Sequence, residues 1–432
     1  MRLSNNLSKV TLKKGEEAVT GRIGLGWMVD SLRHFGLKKM ISDEYRQEKR
    51  SNREKSAYEK IMAGVMMMAS GGERLEDIEN LRADRGLLDS LGWEEMVCAD
   101  TVINFIGDRR NNAKTRRVNN GLVVKAMKRS RETEFTFDSD ATYMDSGKKV
   151  AEYSYQKRRQ MSGLLGSIAE IGIINTVDYR RGNASPQTGI LNQLRKACFQ
   201  ARCAGKRISR FRSDSAAHQD KIFTYCSKNG IEWYVTLDKD QGVMKTVRQL
   251  KCADWKTMYG RYKEQYEKQW AVADYVVSKG YHVSILVLRW QNPDPTLFDK
   301  NKYCYHVIGT NKKDIDPMAW LEVHSGRMGT IEQDHKELKN GFGCAYTPSN
   351  DFEKDRGYFL LGVLTHNATQ VMKLFYLGPD AVQWTIKTVR YQFINVCGKI
   401  VRSGRQFYCR IINVTDKVFA RFRCFQIAMA SS

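Results

Sequence analysis

Along the first 130 residues apolar positions recur with the spacing of helices. The stretch 56–70, SAYEKIMAGVMMMAS, has helix-compatible apolar content and stops at Gly71-Gly72. In RLEDIENLRADRGLLDSLGW, Leu75, Ile78 and Leu81 share one helical face. ADTVINFIGD predicts a further helix capped by Asp100, with Val102, Ile103 and Ile106 facing inward. At residue 133 the period drops to two. EFTFDSD (134–140), KKVAEYSYQ (148–156) and GSIAEIGIINTVDYR (166–180) read as strands, the last closing at the turn RGNASP. A helix then ends at Gly205, KRISRFRSD returns to a strand, a second helix stops at Gly230, and IEWYVTL is a strand again. The order β-β-β-α-β-α-β predicts an α/β fold: a mixed sheet with helices on its faces.

The pattern changes once more between 238 and 323. AVADYVVS, YHVSILVLRW and KYCYHVIG read as successive antiparallel strands, which predicts a β-rich insertion. Helical signals return at 327–340 and 357–377, and the tail 386–432 carries apolar alternation in QFYCRIINV. The expected organisation is therefore five segments: an all-α region 1–130, a first core part 131–237, the insertion 238–323, a second core part 324–385, and the basic C-terminal region 386–432.

Charge adds a partner to this picture. The 432 residues hold 71 Lys+Arg against 48 Asp+Glu, a net charge of +23. Such an excess points to a polyanion, most commonly nucleic acid. The bases are clustered. Residues 109–131 hold nine Lys/Arg and no acid, and residues 195–212 hold seven and no acid. These runs nominate Arg116, Arg117, Arg210 and Arg212 as phosphate contacts. Two short helices followed by the first basic run fit a helix-turn-helix DNA-binding domain, and they fit a plain helical bundle equally. The ten cysteines show neither C-x-x-C nor zinc-finger spacing, as in a reduced, intracellular protein. No apolar stretch suits a signal sequence or a membrane span.

Against this basic background, acids stand at element ends. Asp140 closes the first predicted strand and Asp214 the strand KRISRFRSD. If those strands are neighbours, the two carboxylates share a small space outside the sheet, where a divalent cation would relieve their repulsion. Asp214 before a helix is also a good N-cap. TIEQDHKELKNGFG offers Glu332, Asp334 and Glu337 as a third acid. On an α-helix Glu332, His335, Lys336 and Lys339 share a face, with Lys339 about 10 Å beyond Glu332, in reach of a DNA phosphate.

At these residues the chain resembles the DDE transposases of bacterial insertion sequences, RNase H-like enzymes related to retroviral integrases. Within them it is most similar to the transposase DDE domain group 1 family. GGERLEDIENLRAD, DTVINFIGD, DSDAT, RRGNAS, RSDSA and EQDHKELKNGF carry the resemblance, in the family's order along most of the chain. It implies an RNase H-like core interrupted by the β-rich insertion. It implies Asp140, Asp214 and Glu332 as the catalytic, metal-holding triad, with two Mg²⁺ (or Mn²⁺) ions for phosphoryl transfer. Position within D-x-D-x-T favours Asp140 as the ligand and leaves Asp138 as a supporting residue or alternative first aspartate. Arg327 and Lys339 correspond to the family's DNA-contacting residues in Tyr-x₂-Arg-x₃-Glu-x₆-Lys. Here Arg327 sits one position too far upstream, and His324 stands where Tyr is usual. Trp255, Trp270 and Trp290 of the insertion are candidates for stacking on a flipped base. The function implied is cut-and-paste transposition on double-stranded DNA by a homodimer in the bacterial cytoplasm, associated with the nucleoid. A nuclease without strand transfer and a non-catalytic DNA-binding derivative are the alternatives.

Overall fold

The computed structural model describes residues 11, 13–15, 17–46, 54–259, 265–277, 280–293, 303–313 and 316–431. The first ten residues, part of the stretch read above for a signal sequence, lie outside the described residues. The sheet is built from β1 (Glu134–Asp145), β2 (Glu152–Tyr153), β3 (Arg159–Ile168), β4 (Ile173–Arg181), β5 (Arg207–Ser213), β6 (Glu232–Thr236), β7 (Lys256–Tyr259), β8 (Gln265–Val276), β9 (His282–Gln291) and β10 (Tyr303–Thr310). Their spatial order is β2-β3-β1-β5-β6-β10-β9-β8-β7, with β4 also on β3. β1 runs antiparallel to β3 and parallel to β5, and β5 runs parallel to β6. The expected mixed sheet is present.

Three details differ from the pattern reading. The stretch 166–180 is not one strand. β3 ends at Ile168, and the chain turns through Gly172, whose φ of 58° suits glycine, before β4 begins. The stretch 148–156 forms only the two-residue β2. The insertion strands β7–β10 do not form a sheet of their own. They extend the main sheet, because β10 pairs antiparallel with β6.

The helices of residues 23–129 do not stand apart from the rest of the fold. They pack around the long helix Phe352–Phe375, buried along most of its length. Helix Ala57–Ser70 begins with a capping box, Ser56 paired with Glu59, and ends at Gly71 with φ 109°. The helix expected to start on Asp100 is Ala99–Ile106, with Cys98 at the N-cap position and Asp100 inside the first turn. The basic run becomes one 21-residue helix, Arg109–Arg129. Its apolar face (Val118, Leu122, Val123, Ala126, Met127) is buried, and it packs against Leu37–Glu44, Phe352–Phe375 and β4. A hairpin of β11 (Gly398–Ser403) and β12 (Gln406–Ile411) and the helix Asp416–Ser431 complete the chain. Among the described residues no helix is long and apolar enough to cross a membrane.

Candidate active site

Parallel pairing of β1 with β5 runs from Glu134↔Arg207 to Ser139↔Ser213 and stops there. Asp140 and Asp214 are the next residue on each strand, so they sit together at the mouth where the two strands part. Ser213 Oγ donates to Ser139 O at 2.8 Å and closes the ladder beneath them. Asp140 does not end its strand, as the sequence pattern suggested. β1 continues to Asp145, held there only by β3. Asp214 does cap, as expected, accepting from Ala216 N at 3.1 Å at the start of the short turn Ser215–Ala217.

Burial dominates the electrostatics of this pair. Desolvation pushes the Asp140 carboxyl above its ordinary range, against the nearby Arg327 charge and the Ala141 amide; Glu332 and Asp138 push it further up. Desolvation and then the Asp140 charge push Asp214 up likewise, with Arg327 opposing and Asp238 adding to the rise. Arg327 Nη2 lies 3.6 Å from Asp140 Oδ2. Arg327 is buried, its Nε has no partner, and it faces inward onto the carboxylates. Expected on DNA, Arg327 instead lies beside the aspartate pair, where its guanidinium supplies positive charge. Asp238, just beyond the end of β6, is a third acid at this sheet end that sequence reading did not single out. Its signal was available in TLDKD, which places an acid after a strand as FRSD does.

The structure separates the three acids offered by the helical segment. Asp334 is buried, accepts from Ser167 Oγ at 2.5 Å on β3 and stands 3.2 Å from His366 Nε2 of the long helix. Glu337 accepts from Ile386 N at 3.1 and 3.2 Å. Glu332 is the exposed one, close enough to Asp140 to act on its charge. The helix is not straight α. Its α part is Ile331–Lys336, and a π turn, Glu337–Gly341, follows. The wider turn changes the direction of Lys339 from that of a uniform 3.6-residue helix. Lys339 is half-buried within the field of Asp145 and Asp140. Lys336 is exposed. His335 Nδ1 lies 3.9 Å from Asp140 Oδ2, and burial pushes this imidazole down to about 4, so it is neutral. His324 stands 3.1 Å from Thr236 Oγ1, edge-on to His306.

Two other nominated residues are corrected. Arg212 is buried and forms a bidentate pair with Asp138, Nε to Oδ1 and Nη2 to Oδ2, each at 2.7 Å. Neither is free for its expected role, Arg212 on DNA or Asp138 as first aspartate. Arg210 is half-buried, and its Nε has no partner. Arg117 is exposed and pairs with Glu44 at 2.7 Å. Arg116 is half-buried in the field of Asp178, and Lys196 close by is pushed down to about 8 by burial and by the Arg116 charge. The tryptophans are half-buried in the extended sheet. Trp270 and Trp290 pack beside Tyr234, Leu288, Ile308 and Trp320, under Lys256 at 5.0 Å and Lys268 at 5.2 Å. Trp255 lies on the other cluster, stacked with Arg289 at 3.8 Å.

Among the described residues no three His, Cys, Asp or Glu side chains are gathered tightly enough to hold a metal as they stand. The donor chemistry nevertheless fits a hard divalent cation. Two half-buried carboxylates repel each other, and Mg²⁺ takes one or two carboxylates, its other positions going to water and substrate phosphate. Among curated proteins none matches the chain. Among solved structures the chain is similar to the cryo-EM structure of the piggyBac transposase synaptic complex with hairpin DNA, at 8% identity and a TM-score of 0.45, over 86% of this chain and 79% of that one. The family profile for transposase DDE domain group 1 matches residues 4–419, nearly the whole chain. The protein thus belongs to the transposase DDE domain group 1 family, and it is a DNA transposase of the DDE class.

Proposed function

We propose that Asp140, Asp214 and Glu332 are the catalytic carboxylates, that they hold two Mg²⁺ or Mn²⁺ ions, and that a homodimer works on double-stranded terminal repeats and target DNA. The observation that carries this reading is the half-buried Asp140–Asp214 pair at the parting of β1 and β5, with Glu332 near enough to act on Asp140. When bound, the ions would supply Lewis-acid charge and an activated oxygen nucleophile. The chain's own groups do the rest. Asp140 and Asp214 present oxygens from two adjacent strands, and Glu332 closes the open side from the helix. A water oxygen bonds to phosphorus, the P–O3′ bond breaks, and the strand ends in a 3′-hydroxyl. In the joining step that hydroxyl attacks a target phosphodiester, and the target's own 3′-oxygen leaves. Neutral His335 beside Asp140 adds no charge to the site.

The DNA would lie across the exposed end of the sheet. Lys336 and Lys339 border it on the helix, Arg210 on β5, and Arg116 and Arg117 on the basic helix. Lys256 and Lys268 over Trp270 and Trp290 offer cation and stacking surface on the insertion strands, with Trp255 on the other face. The test uses DNA bearing the inverted repeats that flank the gene. Wild type with Mg²⁺ cuts the repeat ends and joins them to a second duplex. Asp140→Asn and Glu332→Gln do neither. A variant that still joined ends at the wild-type rate would remove the residue from the site, and cutting without joining would favour a plain nuclease.

A further inference from the structure

Asp138 and Arg212 each stand two residues before an aspartate of the site, and the parallel register sets them opposite each other. Residues two apart on a strand point to the same face, so this pair lies directly beneath Asp140 and Asp214. The guanidinium grips both carboxylate oxygens at 2.7 Å. A slip of one residue between β1 and β5, about 3.3 Å, would break both bonds.

The same two side chains also hold the third acid's helix. Arg212 Nη1 donates to Val323 O at 2.8 Å, and the Thr330 hydroxyl donates to Asp138 Oδ2. Arg212 Nη2 lies 3.3 Å from Thr330 Oγ1. A side chain at Gly326 would collide with Arg212 Nη1, so glycine is what lets the segment 323–330 wrap the guanidinium. Thr330 precedes helix Ile331–Lys336 and stands two residues before Glu332. Each acid of the site is thus two residues from one member of a single buried network. A buried ion pair contributes little net stability compared with apolar packing of the same volume. What it provides here is direction: three elements meet at fixed distances.

We propose that Asp138, Arg212 and Thr330 are positioning residues for the catalytic acids. Together they set the register of β1 on β5 and dock the Glu332 helix over both strands. The proposal rests on the reading of Asp140, Asp214 and Glu332 as the metal-holding triad.

The test compares full-length Thr330→Val, which removes the hydroxyl at constant shape, with Thr330→Ser, which keeps it. Arg212→Lys, which keeps the charge without the fork, is the third variant. The readouts are Mn²⁺ binding without DNA, amide hydrogen exchange, and kcat against KM for cleavage of repeat-end DNA. Thr330→Val and Arg212→Lys are expected to weaken Mn²⁺ binding by about 10- to 100-fold. They should lower kcat more than they raise KM, and Thr330→Val should speed exchange at residues 323–336. Thr330→Ser should recover most of each loss. Thr330→Val with wild-type Mn²⁺ affinity, or a serine that rescues nothing, overturns the positioning role alone. A wild-type chain that takes up no more Mn²⁺ than Asp140→Asn overturns the triad reading, and this role with it.

Discussion

Asp214, one of the proposed catalytic carboxylates, shows why such a residue is costly to keep. Its carboxylate is half-buried beside Asp140, and both desolvation and that neighbour favour the neutral form. Asp214→Asn should therefore abolish cleavage while raising Tm in metal-free buffer, by about 1 °C for each kcal/mol regained in a chain of this length. A lower Tm in differential scanning calorimetry would contradict this account. His324 gives a pH dependence. Burial, then Arg327, His306 and Arg212, push its imidazole from 6.5 down to about 3. The folded state thus excludes a proton that the unfolded chain accepts. Stability from this group is full above pH 6.5 and is lost as pH falls toward 3, by on the order of 1 kcal/mol per unit. Thermal melts at pH 7.5 and 5 should show the loss, and His324→Gln should lessen it. An identical pH dependence in wild type and variant would count against the assignment.

At the scale of elements, the Glu332 helix is pinned at successive points. Thr330 bonds β1, Asp334 bonds β3 and faces the long helix, and Glu337 bonds the Ile386 amide. Glu337→Ala would leave that buried N–H unpaired and remove an acid that acts on buried Lys373 and Arg390. A loss of about 1–3 kcal/mol is expected in urea unfolding, with a smaller loss of cleavage than Glu332→Gln causes. An unchanged unfolding midpoint would show that the π turn does not need this tie. The same helix marks where sequence reading stopped. Glu332, Asp334 and Glu337 are all acids within six residues, and helical spacing alone could not assign the tie points. Those depend on Ser167, His366 and Ile386, which are distant along the chain. The π turn, which carries the Glu337 tie to Ile386 and the buried Leu338, was not legible in the helical spacing either.

At the scale of the molecule, β7–β10 prolong the core sheet and carry Lys256, Lys268, Trp270 and Trp290 on a surface continuous with the site's sheet. With a net charge of +23, DNA binding should be dominated by phosphate contacts. For six to ten such contacts, affinity should fall by about 10³–10⁵ between 50 and 200 mM salt. Fluorescence anisotropy with a labelled repeat-end duplex measures the slope. A slope near zero would exclude the lysine track. Lys256→Ala with Lys268→Ala should flatten it by about two contacts' worth.

By itself the sequence determined the change from helical to strand period near residue 133, the glycine stops at Gly71, Gly205 and Gly230, the alternation of strand and helix from β4 to β6, and the short acid-bearing motifs around Asp140 and Asp214. These are local properties: side-chain alternation, backbone freedom at glycine, and a short motif such as D-x-D-x-T. Only the tertiary structure decided which strands are neighbours, and hence that Asp140 meets Asp214. It also turned Arg212, a base of a charged run, and Arg327, a residue of the helix motif, into buried neighbours of aspartates, and it merged the insertion with the core sheet. Charge along a chain says how much positive potential there is. Which guanidinium faces solvent and which faces a carboxylate depends on residues brought together across the fold.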